Sequence, residues 1–354
     1  MRILVEFISQ KEYANVIPLF GVMNEPEMSQ IGTSVMGSFY LRMHDILRNI
    51  TGYGEGHGPY LGIHDGFLAL STWNTFLPGW DRLALDTHKY TVFTNVDPTP
   101  LAQQLKKPCT AWSKAINASW SSFGVTTAGE FSLAINDCGL YLNGVGAGAR
   151  WDGTKAGYTG PTGGDPNGCT DWNDWQSWND TRKGDLKQYV LASMDALQHW
   201  FFWTWKIGNS TTSGTVESPM WSYSLGLENG WMPTDPRLSV GVCGGGSPVS
   251  ALKPNMTGGP GARYNAISNA VRVAKPWPPS TIGPGNWTWT ALPLYTATGT
   301  IPTLAMPTST STSTDAAAAP TMSSKSTSGS GAPGGWFDVD DTRPMHTPIL
   351  TCGE

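Results

Sequence analysis

Two carboxylates in this chain stand where a pair can do chemistry. Of nine glutamates, Glu25 stands in the run Gly21-Val22-Met23-Asn24-Glu25-Pro26 and Glu130 closes Gly124-Val125-Thr126-Thr127-Ala128-Gly129-Glu130, each pattern predicting the C-terminal end of a strand. Hydrolysis of a glycosidic bond with retention asks for such a pair, two carboxyl groups about 5 to 5.5 Å apart, one as nucleophile and one as acid/base. An exposed loop glutamate is the plainer reading of either one alone. The neighbours add to the chemistry. Asn24 beside Glu25 is suited to hydrogen-bond a sugar hydroxyl, and Pro26 fixes the exit angle of the chain. His88 and Tyr90 close a further run, Leu83 to Tyr90. A satisfied core pair is one reading of them, and Phe93 beyond them can be plain packing. Trp203 and Trp205 are two apart, so on a strand they share a face, with Trp205 nearer the C-terminal mouth.

The elements that must position these groups follow from periodicity. Ile3, Leu4, Phe7 and Ile8 repeat at helical spacing with no capping residue before them, so an N-terminal part carried by relatives is expected to be missing here. Val16 to Phe20 reads as a buried parallel strand. Met36, Phe39, Tyr40, Met43, Ile46, Leu47 and Ile50 form a helical stripe. Tyr60 to Asp65 and Leu83 to Tyr90 read as the second and third strands, Pro98 to Trp120 as helical, and Gly124 to Glu130 as the fourth strand. Asp185 to Trp200 is helical and Phe201 to Trp205 is the fifth strand. Strands alternating with helices describe an α/β fold with a parallel sheet, and polar strand ends fit a TIM (β/α)8 barrel, which needs eight strands where five are legible. About three strands are therefore expected to be absent at the front.

Composition sets the partner class. With 14% charged residues, a net charge of −5 and no basic face, nucleic acid is not expected as a partner. Seventeen Trp, 42 Gly and 26 Pro describe a loop-rich chain with many flat apolar faces, natural platforms for sugar rings. No apolar stretch reaches the roughly 18 to 20 residues of a membrane span. Six Asn-X-Ser/Thr acceptors, at Asn49, Asn117, Asn179, Asn209, Asn255 and Asn286, point to secretion, whereas the N-terminus shows no signal peptide. Five cysteines without a C-x-x-C pair suit two disulfides and one free thiol; buried free thiols are the other reading. Domain organisation reads as a partial catalytic domain over 1–250, a Pro/Gly/Trp-rich extension over 251–301, a Ser/Thr-rich linker over 302–335 and a tail over 336–354.

An ordered series of motifs gives the chain a family resemblance: Gly21-Val22-Met23-Asn24-Glu25-Pro26, Ile63-His64-Asp65-Gly66-Phe67, Asp86-Thr87-His88-Lys89-Tyr90-Thr91-Val92-Phe93, Ala128-Gly129-Glu130-Phe131-Ser132 and Phe201-Phe202-Trp203-Thr204-Trp205-Lys206. Over about residues 1–244 the chain resembles the fungal exo-β-1,3-glucanases (glucan 1,3-β-glucosidases) of glycoside hydrolase family five. That resemblance implies Glu25 as acid/base and Glu130 as nucleophile, with Asn24 beside them. It implies His88 and Tyr90 hydrogen-bonded to Glu130, Trp205 as the floor under the reacting glucose and Phe93 as a wall on the leaving-group side. It further implies disulfides Cys138–Cys169 and Cys109–Cys243, leaving Cys352 free. The expected substrate is β-glucan, the expected site is the extracellular space or cell wall, and the expected state is a monomer. No metal or organic cofactor is implied. The competing expectation is an inactive carbohydrate-binding or cell-wall protein.

Overall fold

The computed structural model of the protein describes residues 1–165, 167–245, 252, 254–259, 267–282 and 287–288. Five parallel strands pair in sequential order: β1 (Leu19–Gly21), β2 (Tyr60–His64), β3 (Leu83–Lys89), β4 (Thr126–Phe131) and β5 (Trp200–Phe202). Helices Thr33–Thr51, Lys107–Ser122 and Asp180–Leu197 separate β1 from β2, β3 from β4 and β4 from β5, and the 3-10 turn Leu70–Trp73 stands between β2 and β3, so the order is that of βα units with one helix reduced to a turn. Strands buried on both faces need apolar residues at successive positions, which Leu83, Ala84 and Leu85 supply.

Helix Thr33–Thr51 turns Met36, Tyr40, Met43 and Leu47 inward, and the buried Tyr40 hydroxyl donates to the His64 carbonyl at 3.0 Å, pinning the helix to the end of β2. Helix Asp180–Leu197 starts five residues before the expected Asp185, because the Asn179 side chain accepts the Arg182 N–H at 2.9 Å and caps it there. The expected helix over Pro98 to Trp120 divides into Leu101–Gln104 and Lys107–Ser122. Pro108 sits at the start of the second piece, where a missing N–H costs nothing.

Strand limits differ from expectation for local reasons. The pairing of β1 begins only after Pro18, which has no N–H to give and whose carbonyl accepts from Tyr60 N at 2.8 Å. Val16, expected to open the strand, instead ends the 3-10 turn Ala14–Val16. Gly124, with φ 126°, takes its N–H back to Ser119 O, so β4 starts two residues later than expected. The fifth strand stops at Phe202. Beyond it Thr204 N donates to Trp221 O at 2.8 Å and Ser224 N to Trp205 O at 2.8 Å, so the chain has left the sheet. The opening helix is Arg2–Ile8; it buries Val5, while Ile3 and Leu4 stay exposed.

Two disulfides, Cys109–Cys243 and Cys138–Cys169, have the pairing that the resemblance implies. The described residues of the expected extension pack onto the first units: Met256 and Ile267 join the core, Glu55 N donates to Gly258 O at 2.8 Å, and Arg272 pairs with Asp45. Cys352, Asn286, the 302–335 linker and the 336–354 tail lie outside the described residues.

Candidate active site

The C-terminal end of β3 is the centre of the site. Asp86 and His88, two apart, project from the same face of the strand. Asp86 Oδ1 accepts the Gly129 N–H at 2.7 Å. A Cβ on residue 129 would stand 2.2 Å from that oxygen, so the contact requires glycine immediately before Glu130. Asp86 Oδ2 then lies 3.6 Å from His88 Nε2, which aims the other ring nitrogen across the mouth of the sheet.

That nitrogen meets both carboxylates. His88 Nδ1 is 2.5 Å from Glu25 Oε1 and 3.4 Å from Glu130 Oε2. The Tyr90 hydroxyl donates to Glu130 Oε2 at 2.6 Å. The resemblance set both His88 and Tyr90 on Glu130. Tyr90 is there, but the tight partner of His88 is Glu25, because Glu25 sits in the loop beyond β1 at φ 44° and reaches back over the ring. Glu25 is not on a strand, since β1 ends at Gly21.

Burial pushes the His88 imidazole down, but hydrogen bonds to Asp86 and Glu25 and the charges of Asp86 and Glu130 outweigh it and raise the group to about 9. His88 is therefore a cation at neutral pH. Burial, then the hydrogen bond to Glu130, pushes the Tyr90 phenol up, so it remains a donor. His64 lies edge-on to His88, with ring centroids 4.4 Å apart. Its Nδ1 accepts the Gly66 N–H at 2.9 Å and burial lowers its pKa, so it is neutral with the proton on Nε2. Glu25, His64 and His88 offer atoms within 4.8 Å of one another. The Nδ1 of His64 is committed to the Gly66 N–H, and its buried Nε2 has no hydrogen-bond partner among the described residues.

Exposed aromatic rings connect to Glu130 through packed neighbours. Phe93, 56% exposed, packs edge-on against Tyr90 with centroids 5.4 Å apart. Trp205 is 55% exposed and stacks on Tyr223 at 5.9 Å, and Tyr223 continues through Phe202 to Phe131, the neighbour of Glu130. Trp203 is also exposed, and because β5 ends at Phe202 the two tryptophans lie beyond the strand and do not share a strand face as expected. Asn24 is exposed beside Glu25. Asp86, His64 and Gly129 stand within the motifs but receive no role from the sequence; their signal is position, Asp86 and Gly129 within two residues of His88 and Glu130, and His64 at the end of β2. Of the glycan acceptors, Asn49, Asn179 and Asn209 are exposed, whereas Asn117 is half-buried and bonded to the Gln198 side chain. Asn255 lies in the short helix Pro254–Thr257.

No protein-family model matches the chain. It is similar to curated fungal proteins: 33% identical over 245 residues to "Probable glucan 1,3-beta-glucosidase D" of Aspergillus terreus, covering 65% of this chain and 28% of that protein. It is 35% identical over 243 residues to "Glucan 1,3-beta-glucosidase D" of Emericella nidulans, covering 64% and 28%. The resemblance read from the motifs is thus borne out, and the chain spans under a third of the length of these relatives. Among solved structures, "Crystal structure of AoRut" is similar with a TM-score of 0.39 and 16% identity, over 65% of this chain and 54% of that one.

Proposed function

We propose that the chain carries the catalytic pair of a retaining glycoside hydrolase that releases glucose from β-1,3-glucan. One observation carries this reading. Glu25 and Glu130 both contact His88 Nδ1, so their nearest oxygens lie within about 6 Å of each other, short of the ~6.5 to 9.5 Å that an inverting pair needs to seat a water. The printed names of the relatives supply the glucan.

In this reading Glu130 Oε1, the oxygen not held by Tyr90, attacks the anomeric carbon, and Glu25 relays the Nδ1 proton of cationic His88, its hydrogen-bond partner, to the leaving glycosidic oxygen. Glu25 then takes a proton from the water that attacks the glycosyl–enzyme ester and returns it to His88 as Glu130 is released. Cationic His88 between the carboxylates offsets their mutual repulsion in the resting state. Trp205 stacks under the reacting sugar, and Asn24 bonds its hydroxyls. The five strands belong to a (β/α)8 barrel, residues 1–250 form the catalytic unit, and the protein works on the cell wall or outside the cell.

The test is hydrolysis of laminarin by the wild-type chain and by Glu130→Ala and Glu25→Ala. Expected are glucose release by the wild type and a loss of at least about 10⁴-fold in Glu130→Ala. Glu25→Ala should lose laminarin cleavage yet keep more of its activity on an aryl glucoside whose leaving group needs no proton. Equal rates in wild type and Glu130→Ala would overturn the reading.

A further inference from the structure

Phe93 sits in a four-residue turn, and the outer side of that turn is held from a different loop. The Arg150 guanidinium forks onto the backbone on both sides of the ring: Nη1 donates to Thr94 O at 2.9 Å and Nη2 donates to Val92 O. Its Nε donates to Asp137 Oδ2 at 3.0 Å. Asp137 is itself built in. Its side chain is 1% exposed and also accepts from Arg150 N, Trp151 N and Asn143 Nδ2 at 2.9, 3.0 and 2.9 Å. Burial pushes the Asp137 carboxyl up, but these donors outweigh it and hold the group below the ordinary carboxylate range. The inner side of the turn is tied separately, by Thr91 Oγ1 to Ala134 O at 3.1 Å and Thr94 Oγ1 to Thr91 O at 2.6 Å. Those bonds fix the turn near Thr91. Among the described residues, the side chain that fixes it on the Phe93 side is Arg150.

We propose that Arg150, seated on buried Asp137, is a positioning residue that sets affinity for the sugar on the leaving-group side by holding the turn that carries Phe93. This rests on the glucanase reading above. A planar guanidinium can reach two carbonyls and a carboxylate at once, which an ammonium cannot do with fixed geometry. An exposed aromatic ring contributes to sugar binding only if its face is held where the sugar passes, and such a contact is worth roughly a threefold to tenfold change in affinity.

The experiment measures kcat and KM for laminaritriose, and hydrogen exchange of the 91–95 amides, in the wild type, Arg150→Ala, Arg150→Lys, Phe93→Ala and the double variant Phe93→Ala/Arg150→Ala. Expected for Arg150→Ala are a KM raised about threefold to tenfold, kcat within about twofold, and faster exchange of the turn. With Phe93 already absent, the Arg150 substitution should add nothing further to KM. Arg150→Lys keeps the ion pair with Asp137 and loses the fork, so it should raise KM in the same direction; it decides the matter if Arg150→Ala fails to fold. An unchanged KM, an additive double variant, or a fall in kcat without a change in KM would overturn the proposal. A wild type that cleaves laminaritriose while Arg150 variants behave identically sinks this inference alone. A wild type that binds but does not cleave sinks the glucanase reading, and the same comparison is then made on dissociation constants; failure to bind at all sinks both.

Discussion

One nitrogen, His88 Nδ1, organises the charges of the site, and its protonation is testable. Folded His88 is raised from 6.5 to about 9, so its contribution to stability is fully present below about 6.5 and is lost as pH rises through about 9. Thermal unfolding of wild type and His88→Asn from about pH 6 to about pH 10 should show a wild-type advantage that shrinks as pH rises. An advantage independent of pH would mean that His88 acts by packing. Tyr90→Phe removes the 2.6 Å donor on Glu130 without changing the ring. We expect kcat on laminarin to fall by about tenfold to a hundredfold with little change in stability, read from steady-state kinetics beside a melting curve.

At the scale of the elements, β3 and β4 fit each other through one glycine. Gly129→Ala would push a methyl group against Asp86 Oδ1, so we expect a loss of about 1 to 3 kcal/mol in denaturant unfolding, and activity reduced further because Asp86 aims His88. Much of this was legible in the sequence. Buried strands such as Leu83-Ala84-Leu85 carry unmistakable runs, and Met36 to Ile50 carries a helical stripe, so the βα order and the placement of Glu130, His88 and Tyr90 follow from pattern. The limits of β1, β4 and β5 did not, because Pro18, Gly124 and the pairing of Thr204 with Trp221 act through backbone hydrogen bonds that hydrophobic periodicity does not register. The partner of His88 was illegible for a related reason. Glu25 reaches it from a loop with positive φ, a conformation no local pattern encodes.

The whole molecule is held by long-range links as much as by its sheet. Cys109–Cys243 spans 134 residues, tying helix Lys107–Ser122 to the segment after the last described βα unit. Replacing both cysteines by serine should cost about 2 to 5 kcal/mol in denaturant unfolding. Among the described residues β1 and β5 each pair on one side only, and Phe201 on β5 is half exposed. In the proposed reaction Glu130 is the nucleophile and Glu25 the acid/base, and trapping the intermediate tests that division. The chain is incubated with 2-deoxy-2-fluoro-β-glucosyl fluoride, and the modified peptide is mapped by mass spectrometry. Expected are one fluoroglucosyl group on the peptide that contains Glu130, and none in Glu130→Ala. A label on another carboxylate, or α-glucose as the first product of laminaritriose cleavage, would contradict it.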